Sequence, residues 1–165
     1  MAWRNSSWAR AIWTILRVYL GWSWLTSGFG KVFGSNSTVW VGDKAGIAVT
    51  GFLQGALAKT SGPHPDVQWW YAWFIQHMAL PNAKIFSYFV AWGELLVGIA
   101  LILGAFTTLA LLAGLLMNFS YLLAGTVSAN PVFQIQELIL LFAGAAAFYW
   151  GVDRWLWPLV KRSRT

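Results

Sequence analysis

The amino-acid sequence predicts an all-α integral membrane protein, in which four transmembrane helices form an antiparallel bundle and one long loop lies outside the cytoplasm. Of the 165 residues, 58% are hydrophobic, only 10% are charged and 13 are tryptophan, a composition typical of membrane proteins. Four apolar stretches reach or approach the length of about 20 residues that a spanning helix needs. We therefore expect one membrane domain, residues 1–165, with spans at about 11–33, 83–103, 108–125 and 132–150.

Basic residues flank the outermost spans and predict the orientation of the chain. Arg4 and Arg10 precede the first span, and the fourth span is followed by Arg154, Lys161, Arg162 and Arg164. Cytoplasmic segments of membrane proteins are enriched in lysine and arginine, so we expect a multi-pass protein of the cell membrane with both termini in the cytoplasm. Topology then accounts for the formal net charge of +6, and no nucleic-acid partner is expected.

The content of cysteine and histidine limits the redox chemistry. Cysteine is absent, which excludes disulfides, iron–sulfur clusters and cysteine-ligated zinc. His64 and His77 lie in the loop 34–82 without acids at ligand spacing, and no predicted span contains a histidine. No metal site is expected, and a membrane haem with two histidine ligands is excluded.

The first span carries its polar and small residues at helical spacing. They are Arg17, Gly21, Trp24, Gly28 and Lys31. Spacings of three and four place them on one helix face, which we expect to look into the protein. Arg17 and Lys31 are about 21 Å apart along the axis, so they serve opposite halves of the membrane, although Lys31 snorkelling to the outer interface stays an alternative. The pair Gly30 and Gly34 permits a close backbone approach at the outer end.

The extracytoplasmic loop, residues 34–82, is expected to carry two short interfacial or re-entrant helices at 46–57 and 67–80, since each is too short to span. The second contains a cluster of aromatic residues, Trp69, Trp70, Tyr71, Trp73 and Phe74. An aromatic belt at the headgroup level explains this density. The alternative is a lid over an aromatic or isoprenoid substrate.

Two of the five acids fall inside predicted spans. Glu94 lies near the middle of the second span and Glu137 in the outer third of the fourth. A charge at the centre of a membrane costs roughly 2.5–3.5 kcal/mol on insertion scales. We therefore expect each carboxyl group to have a buried partner, to be held neutral, or to face a cavity or ligand.

Depth in the membrane sorts the polar side chains of the spans into two expected clusters. Asn118 and Tyr121 lie three apart on the third span, and Gln134 and Glu137 lie three apart on the fourth, so each pair shares a helix face. The outer cluster is expected to join Lys31 to Glu137 and the amides. The inner one is expected to pair Arg17 with Glu94.

Three stretches resemble the DoxX/DoxD family of small four-span bacterial and archaeal membrane proteins. They are LGWSWLTSGFGKVFG at 20–34, AWGELLVGIALILGAFTTLA at 91–110 and MNFSYLLAGTVSANP at 117–131. The resemblance implies similarity to the membrane subunit of a thiosulfate:quinone oxidoreductase, which works with a second subunit. Other members are associated with oxidative-stress and thiol-redox complexes. We therefore expect a second protein subunit beside the lipid bilayer and quinone as partners, and homo-oligomerisation stays open.

The function expected from these residues is that of a quinone-linked oxidoreductase subunit, a thiosulfate dehydrogenase (quinone) subunit if the chain is an enzyme. The sequence has no flavin or dinucleotide fingerprint, so quinone is the one cofactor considered. Catalytic roles are predicted for Glu94, Arg17 and Glu137, since a buried cation and a carboxyl group together bind a quinoid oxygen and transfer protons. Residues predicted to bind substrate or quinone are Lys31, Asn118, Tyr121, Gln134 and Trp24.

The alternative is a non-enzymatic membrane scaffold or small-molecule carrier that accompanies a redox or oxidative-stress complex. In that case the buried charges specify helix packing or bind a solute, because buried ion pairs are weak evidence for stability but can select one arrangement.

Overall fold

The structure of the protein, a computed structural model, describes residues 6–155, and all regular elements in that range are helical. The α-helices are α1 (Ser7–Val32), α2 (Ser37–Trp40), α3 (Ile47–Leu57), α4 (Trp69–Phe74), α5 (Ala83–Leu103), α6 (Thr107–Leu123) and α7 (Asn130–Ala143). A π-helical turn, Ile75–Ala79, continues α4, and a 3-10 turn, Gly144–Ala146, follows α7. The all-α prediction is confirmed. Some of the residues on which the predicted orientation depends lie outside the described residues: Arg4, Lys161, Arg162 and Arg164.

Helix α5 coincides with the predicted second span. It has 21 residues and is, among residues 6–155, the helix that is both long and apolar enough to cross a membrane. It ends at Gly104, whose φ of 66° is the left-handed conformation that favours glycine. Helix α1 is longer, with 26 residues, but contains Arg10, Arg17 and Lys31.

Helix α7 is shorter than the predicted fourth span, 132–150. Its α-helical part stops at Ala143 because Gly144 adopts a φ of 56°, a backbone conformation that a continuing α-helix cannot accommodate. The following segment reaches the start of α6, where Asp153 accepts hydrogen bonds from the backbone of Phe106 and Thr107. Ala146 and Ala147 are buried against the helix core, so this run of small residues ends the helix and also packs.

The closest helix contact joins α1 and α5 through two glycines. A Cβ atom added to Gly28 would overlap the backbone of Leu95, and one added to Gly98 would overlap the backbone of Leu25. The two antiparallel helices therefore approach backbone to backbone at both points. This interlock fixes how far one helix can slide along the other.

The close helix approach that the spacing of Gly30 and Gly34 permits is not formed. A Cβ atom on Gly30 would meet nothing within 4 Å, and one on Gly34 would meet only Gly30 of the same helix end. Gly30 points away from α5 because it is two residues, or about 200° of helix rotation, beyond Gly28.

The loop 34–82 folds back onto the bundle, and we call it the cap. Its helices α3 and α4 lie close to the predicted short helices, and its core residues pack against the ends of α5 and α6. Hydrogen bonds fasten the cap: Ser87 Oγ donates to the Trp40 carbonyl at 2.6 Å, and Tyr71 OH donates to the Ser120 carbonyl at 2.9 Å. Burial raises the pKa of the Tyr71 hydroxyl, which keeps it a donor.

Candidate functional site

Glu94 is the centre of a buried polar cluster where α1, α5 and α6 meet. Its side chain is almost entirely buried, and its Oε2 forms an ion pair with Lys31 Nζ. Ser27 Oγ donates to the same oxygen at 2.8 Å, and Tyr121 OH donates to Oε1 at 2.9 Å. The prediction that Glu94 pairs with Arg17 is therefore wrong.

The α1–α5 interlock explains this exchange of partners. The glycine contact at Gly28 lies against the carbonyl carbon of Glu94 and the nitrogen of Leu95, so the neighbouring turns of α1 deliver Ser27 and Lys31 to the carboxylate. Arg17 lies three helical turns further down α1 and meets Gly104 instead. The depth of a residue along its own helix does not show how α1 and α5 are aligned with each other, so the sequence alone could not predict this contact.

Lys31 is oriented inward by several groups at once. Besides Glu94, its Nζ donates to Ser27 Oγ at 2.8 Å and lies 5.0 Å from the ring centroid of Trp40 in the cap. Its side chain is 19% exposed. Lysine held by a carboxylate, a hydroxyl and an aromatic face is a fixed cation, so snorkelling to the outer interface does not describe it.

Glu137 forms a second buried cluster with neutral donors. Trp24 Nε1 donates to its Oε1 at 3.1 Å, and Asn118 Nδ2 lies 3.0 and 3.1 Å from its two oxygens. Gly114 makes room, because a Cβ atom there would collide with the Glu137 carboxylate. The expected pairing of Lys31 with Glu137 is wrong, although the expected amide contact through Asn118 is present.

Helix α6 connects the two carboxyl groups. Asn118 and Tyr121 share one face of it, as their spacing predicts, but Asn118 turns to Glu137 and Tyr121 to Glu94. Asn118 Oδ1 is a buried acceptor without a hydrogen-bond partner among the described residues. The two acids thus lie in different surroundings, one charge-paired and one bound by neutral groups.

Arg17 lies at the opposite end of α1, in a third buried cluster. Its Nη2 donates to the carbonyl of Trp150 at 3.2 Å, and its guanidinium packs against Gly104 and Gly151. The nearby Asp153 interacts with it electrostatically. Its contacts join the end of α5 to the segment after α7, which is a structural position.

Asp153 also caps α6. Its two carboxylate oxygens accept hydrogen bonds from the backbone N–H of Phe106 at 2.7 Å and of Thr107 at 2.8 Å. An acid at a helix N-terminus is favourable because it binds the free N–H groups there. Phe106 has a φ of 51°, an uncommon conformation for this residue that the cap holds in place.

A cavity of about 510 Å³ adjoins the Glu94 cluster and lies between α5, α6 and the cap. Ser27, Lys31, Glu94 and Tyr121 form its polar wall. Most other lining side chains are apolar, among them Trp40, Val49, Phe52, Phe74, Phe86, Phe89 and Met117. Volumes of about 300–1,000 Å³ with few polar groups are typical of small-molecule sites.

The cavity includes only part of the predicted site. Of the predicted site residues, Glu94, Lys31 and Tyr121 line it, whereas those that do not are Arg17, Glu137, Asn118, Trp24 and Gln134. Gln134 is half-buried on α7. Ser27 was missed by the sequence analysis, although it precedes Lys31 by four residues, the spacing at which side chains on one helix meet.

The aromatic cluster of the cap divides between two environments. Tyr71 and Phe74 line the cavity, while Trp69, Trp70 and Trp73 are 80%, 45% and 55% exposed. Tyr71 and Phe74 thus take the position expected of a lid, and the tryptophans take the outward position expected of an aromatic belt. Across residues 6–155 no three histidine, cysteine or acidic side chains lie together as metal ligands would.

Comparison with known proteins identifies the family of the chain. A family model described as DoxX matches residues 12–128. The chain belongs to the DoxX family. It is accordingly a membrane protein in contact with the lipid bilayer. No curated protein and no solved structure matches it. The DoxX match includes the entire Glu94 cluster and the cap but ends before α7, so Glu137 and Asp153 lie outside it.

Proposed function

We propose that this DoxX protein is the membrane subunit of a quinone-linked oxidoreductase and that the cavity beside Glu94 is its quinone site. One observation supports this most strongly: an apolar cavity of about 510 Å³ is closed on one wall by a lysine, a tyrosine and a serine gathered around one buried carboxylate. The reductant that the family resemblance implies is thiosulfate, which a partner subunit would oxidise.

The lining suits a quinone ring. A quinone has two carbonyl acceptors on a flat apolar ring, so its site needs hydrogen-bond donors on one wall and aromatic or aliphatic surfaces elsewhere. Lys31 has three N–H groups and donates two of them, to Glu94 and Ser27, so one remains for a quinone oxygen at the polar wall. Trp40, Phe86 and Met117 supply the apolar surface. The π-helical turn Ile75–Ala79 places Ala79 in the lining, and such turns occur frequently at functional sites.

The polar wall can bind and exchange protons. Reduction of a quinone to a quinol takes up two electrons and two protons, and in this proposal the two electrons come from the sulfur compound bound by the partner subunit. Lys31 orients one carbonyl oxygen and gives it a proton; the proton for the other oxygen, and the one that restores Lys31, come from water. Glu94 holds Lys31 and Tyr121 in place and accepts or returns protons through the same hydrogen bonds. Ser27 connects the lysine and the carboxylate.

Four helices, α1, α5, α6 and α7, are proposed as the spans, with both termini in the cytoplasm and the cap outside. Each presents large apolar side chains outward: Ile15, Leu96, Leu109 and Ile135 are 58–69% exposed, a pattern suited to lipid. The 17 residues of α6 meet the lower limit for a span, and the 14 residues of α7 reach it only together with the 3-10 turn Gly144–Ala146. A reporter fused after Thr165 should be active only when it is of the cytoplasmic type, and activity of a periplasmic type would contradict this topology.

The quinone site has a direct test. Protein purified from membranes in mild detergent should retain quinone, measured by ultraviolet absorption after solvent extraction. The Glu94→Gln variant should fold but lose quinone-dependent thiosulfate oxidation in membranes that contain the partner, and Tyr121→Phe should retain less quinone. Tyr19→Phe is the matched control, because Tyr19 lies 58% exposed on α1. Unchanged turnover and quinone content in all three variants would refute the proposal.

A non-enzymatic scaffold or small-molecule carrier is the second candidate. It is favoured by the two polar clusters around Glu137 and Arg17, which are buried away from the cavity and join helices to one another. In a carrier, Glu94→Gln would lower thermal stability in detergent and leave turnover in membranes unchanged. Loss of turnover by a variant that still folds selects the oxidoreductase.

A further inference from the structure

We infer that the cavity opens sideways into the bilayer between α5 and α6, and that its ligand carries a long apolar tail of the isoprenoid class that leaves through this opening. The opening, which we call the portal, is framed by Phe52 of α3, Phe89 of α5 and Leu116 of α6. This inference rests on the proposed quinone site and specifies which quinones enter it.

The frame residues belong to the cavity and to the outer surface at the same time. All three line the cavity, yet Phe52, Phe89 and Leu116 are 37%, 70% and 67% exposed. By contrast, Val49 and Leu53 line the same cavity and are 6% exposed. Side chains that face both an interior cavity and the outside mark places where the cavity reaches the surface. Phe52, Phe89 and Leu116 mark an apolar one, and Ser128, which is exposed and also lines the cavity, marks a polar one.

The seam between α5 and α6 at this level is closed by a flexible side chain. A Cβ atom added to Gly93 would lie 3.4 Å from the sulfur of Met117, and Met117 lines the cavity. On the other side of α5, Gly28 and Gly98 interlock backbone with backbone. An unbranched thioether changes rotamer easily, so the α5–α6 seam is the side of α5 that can admit a chain.

The portal leads directly to the polar wall. The Phe52 ring lies edge-on to the Tyr121 ring, with 6.1 Å between centroids, and Tyr121 donates to Glu94. The portal thus lies beside the aromatic ring of the polar wall, so the tail of a ligand bound to that wall begins close to the opening.

The side chains around the portal indicate the environment of the far end of the ligand. On the outward faces of α5 and α6, the neighbouring side chains Trp92, Leu96, Leu112 and Phe119 are 42–59% exposed and apolar. In a membrane protein these faces contact acyl chains. An apolar tail that continues through the portal stays in lipid, whereas a charged or strongly hydrated tail would have to be desolvated there.

The absence of cysteine from the sequence makes a site-specific block possible. Leu116→Cys places one thiol in the portal, and Leu109→Cys is a matched control, because Leu109 is on the same helix, is also 67% exposed and does not line the cavity. Each full-length variant is labelled with pyrene maleimide in phosphatidylcholine nanodiscs. Binding is then measured for a benzoquinone without a tail and for the same ring with a decyl tail.

The label at position 116 should weaken binding of the tailed quinone by about tenfold or more, about 1.4 kcal/mol, and leave binding of the tail-free ring within about threefold. The label at position 109 should change neither. The portal is overturned if the label at position 116 weakens binding of both quinones equally, or weakens binding of neither. In that case, quinone binding by the unlabelled protein still supports the quinone site. If the unlabelled protein binds neither quinone, the quinone site is refuted and the portal with it.

Discussion

The pairing of Lys31 with Glu94 leads to a quantitative prediction. Lys31→Met would remove the cation and leave a carboxylate that is 3% exposed with two neutral donors, Ser27 and Tyr121. Breaking a buried ion pair by removing one partner costs about 3–5 kcal/mol, and the partial exposure of Lys31 places the expected loss near the lower end, about 3 kcal/mol. Glu94→Gln keeps the size and one acceptor, so we expect a loss of about 1–2 kcal/mol.

The double variant separates the interaction from the two individual losses. In the variant that carries both Lys31→Met and Glu94→Gln, neither charge remains buried without its partner. The loss of unfolding free energy in this double variant should therefore be about 1.5–2 kcal/mol smaller than the sum of the two single losses. The free energy of unfolding is measured by titration with sodium dodecyl sulfate in mixed micelles, with tryptophan fluorescence as the signal.

Arg17→Met combined with Glu94→Gln is the control cycle. Arg17 meets Gly104, which lies ten residues along α5 from Glu94, about 15 Å by helical rise. The losses of unfolding free energy caused by these two changes should be additive within about 0.5 kcal/mol. A coupling below about 0.5 kcal/mol for Lys31 with Glu94, or above about 1 kcal/mol for Arg17 with Glu94, would refute the assignment of partners.

Three further predictions use the same unfolding measurement. Glu137→Gln should change stability by less than about 0.5 kcal/mol, because its amide keeps an acceptor and can donate to the unpaired Asn118 Oδ1. Glu137→Leu should cost about 2–4 kcal/mol, because it leaves buried donors unsatisfied. Similar losses for the two variants would contradict this prediction. Gly28→Ala should cost about 1–3 kcal/mol through overpacking, while Gly30→Ala should be neutral or stabilising by up to about 1 kcal/mol, and the reverse order would show that the α1–α5 contact is misassigned. Asp153→Ala should cost about 1–2 kcal/mol as a lost helix cap and speed amide exchange at the start of α6, an effect that a surface acid without capping contacts would not produce.

Some features of the fold follow from short-range patterns and were predictable. The inward face of α1 is one: Arg17, Trp24 and Gly28 are buried as their spacing predicts, because helical periodicity is a local property. The extent of α5 is another, since a run of 21 residues that is apolar apart from a few side chains such as Lys84 and Glu94 ends at a glycine, Gly104. The end of α7 was missed because the same small residues that allow close packing also include Gly144, which leaves the helical conformation.

The partners of the buried charges could not be read from single helices. Depth counting placed Arg17 beside Glu94, although the observed partner, Lys31, lies 14 residues or about four helical turns further along α1. The signal that would have corrected it was present as Gly28 and Gly98, but one glycine identifies its opposite position only when the two helices are seen together.

By itself, the sequence determined that this is an α-helical membrane protein with buried acids, and on which helix face of α1 its polar residues lie. These properties depend on composition and on a period of 3.6 residues, which every segment carries within itself. Only the tertiary structure decided that Lys31 and Ser27 meet Glu94, that Glu137 is bound by Trp24 and Asn118, and that the cap encloses a cavity. These contacts join residues 19 to 113 positions apart, and their geometry depends on helix register and on the docking of the cap, which no local pattern specifies.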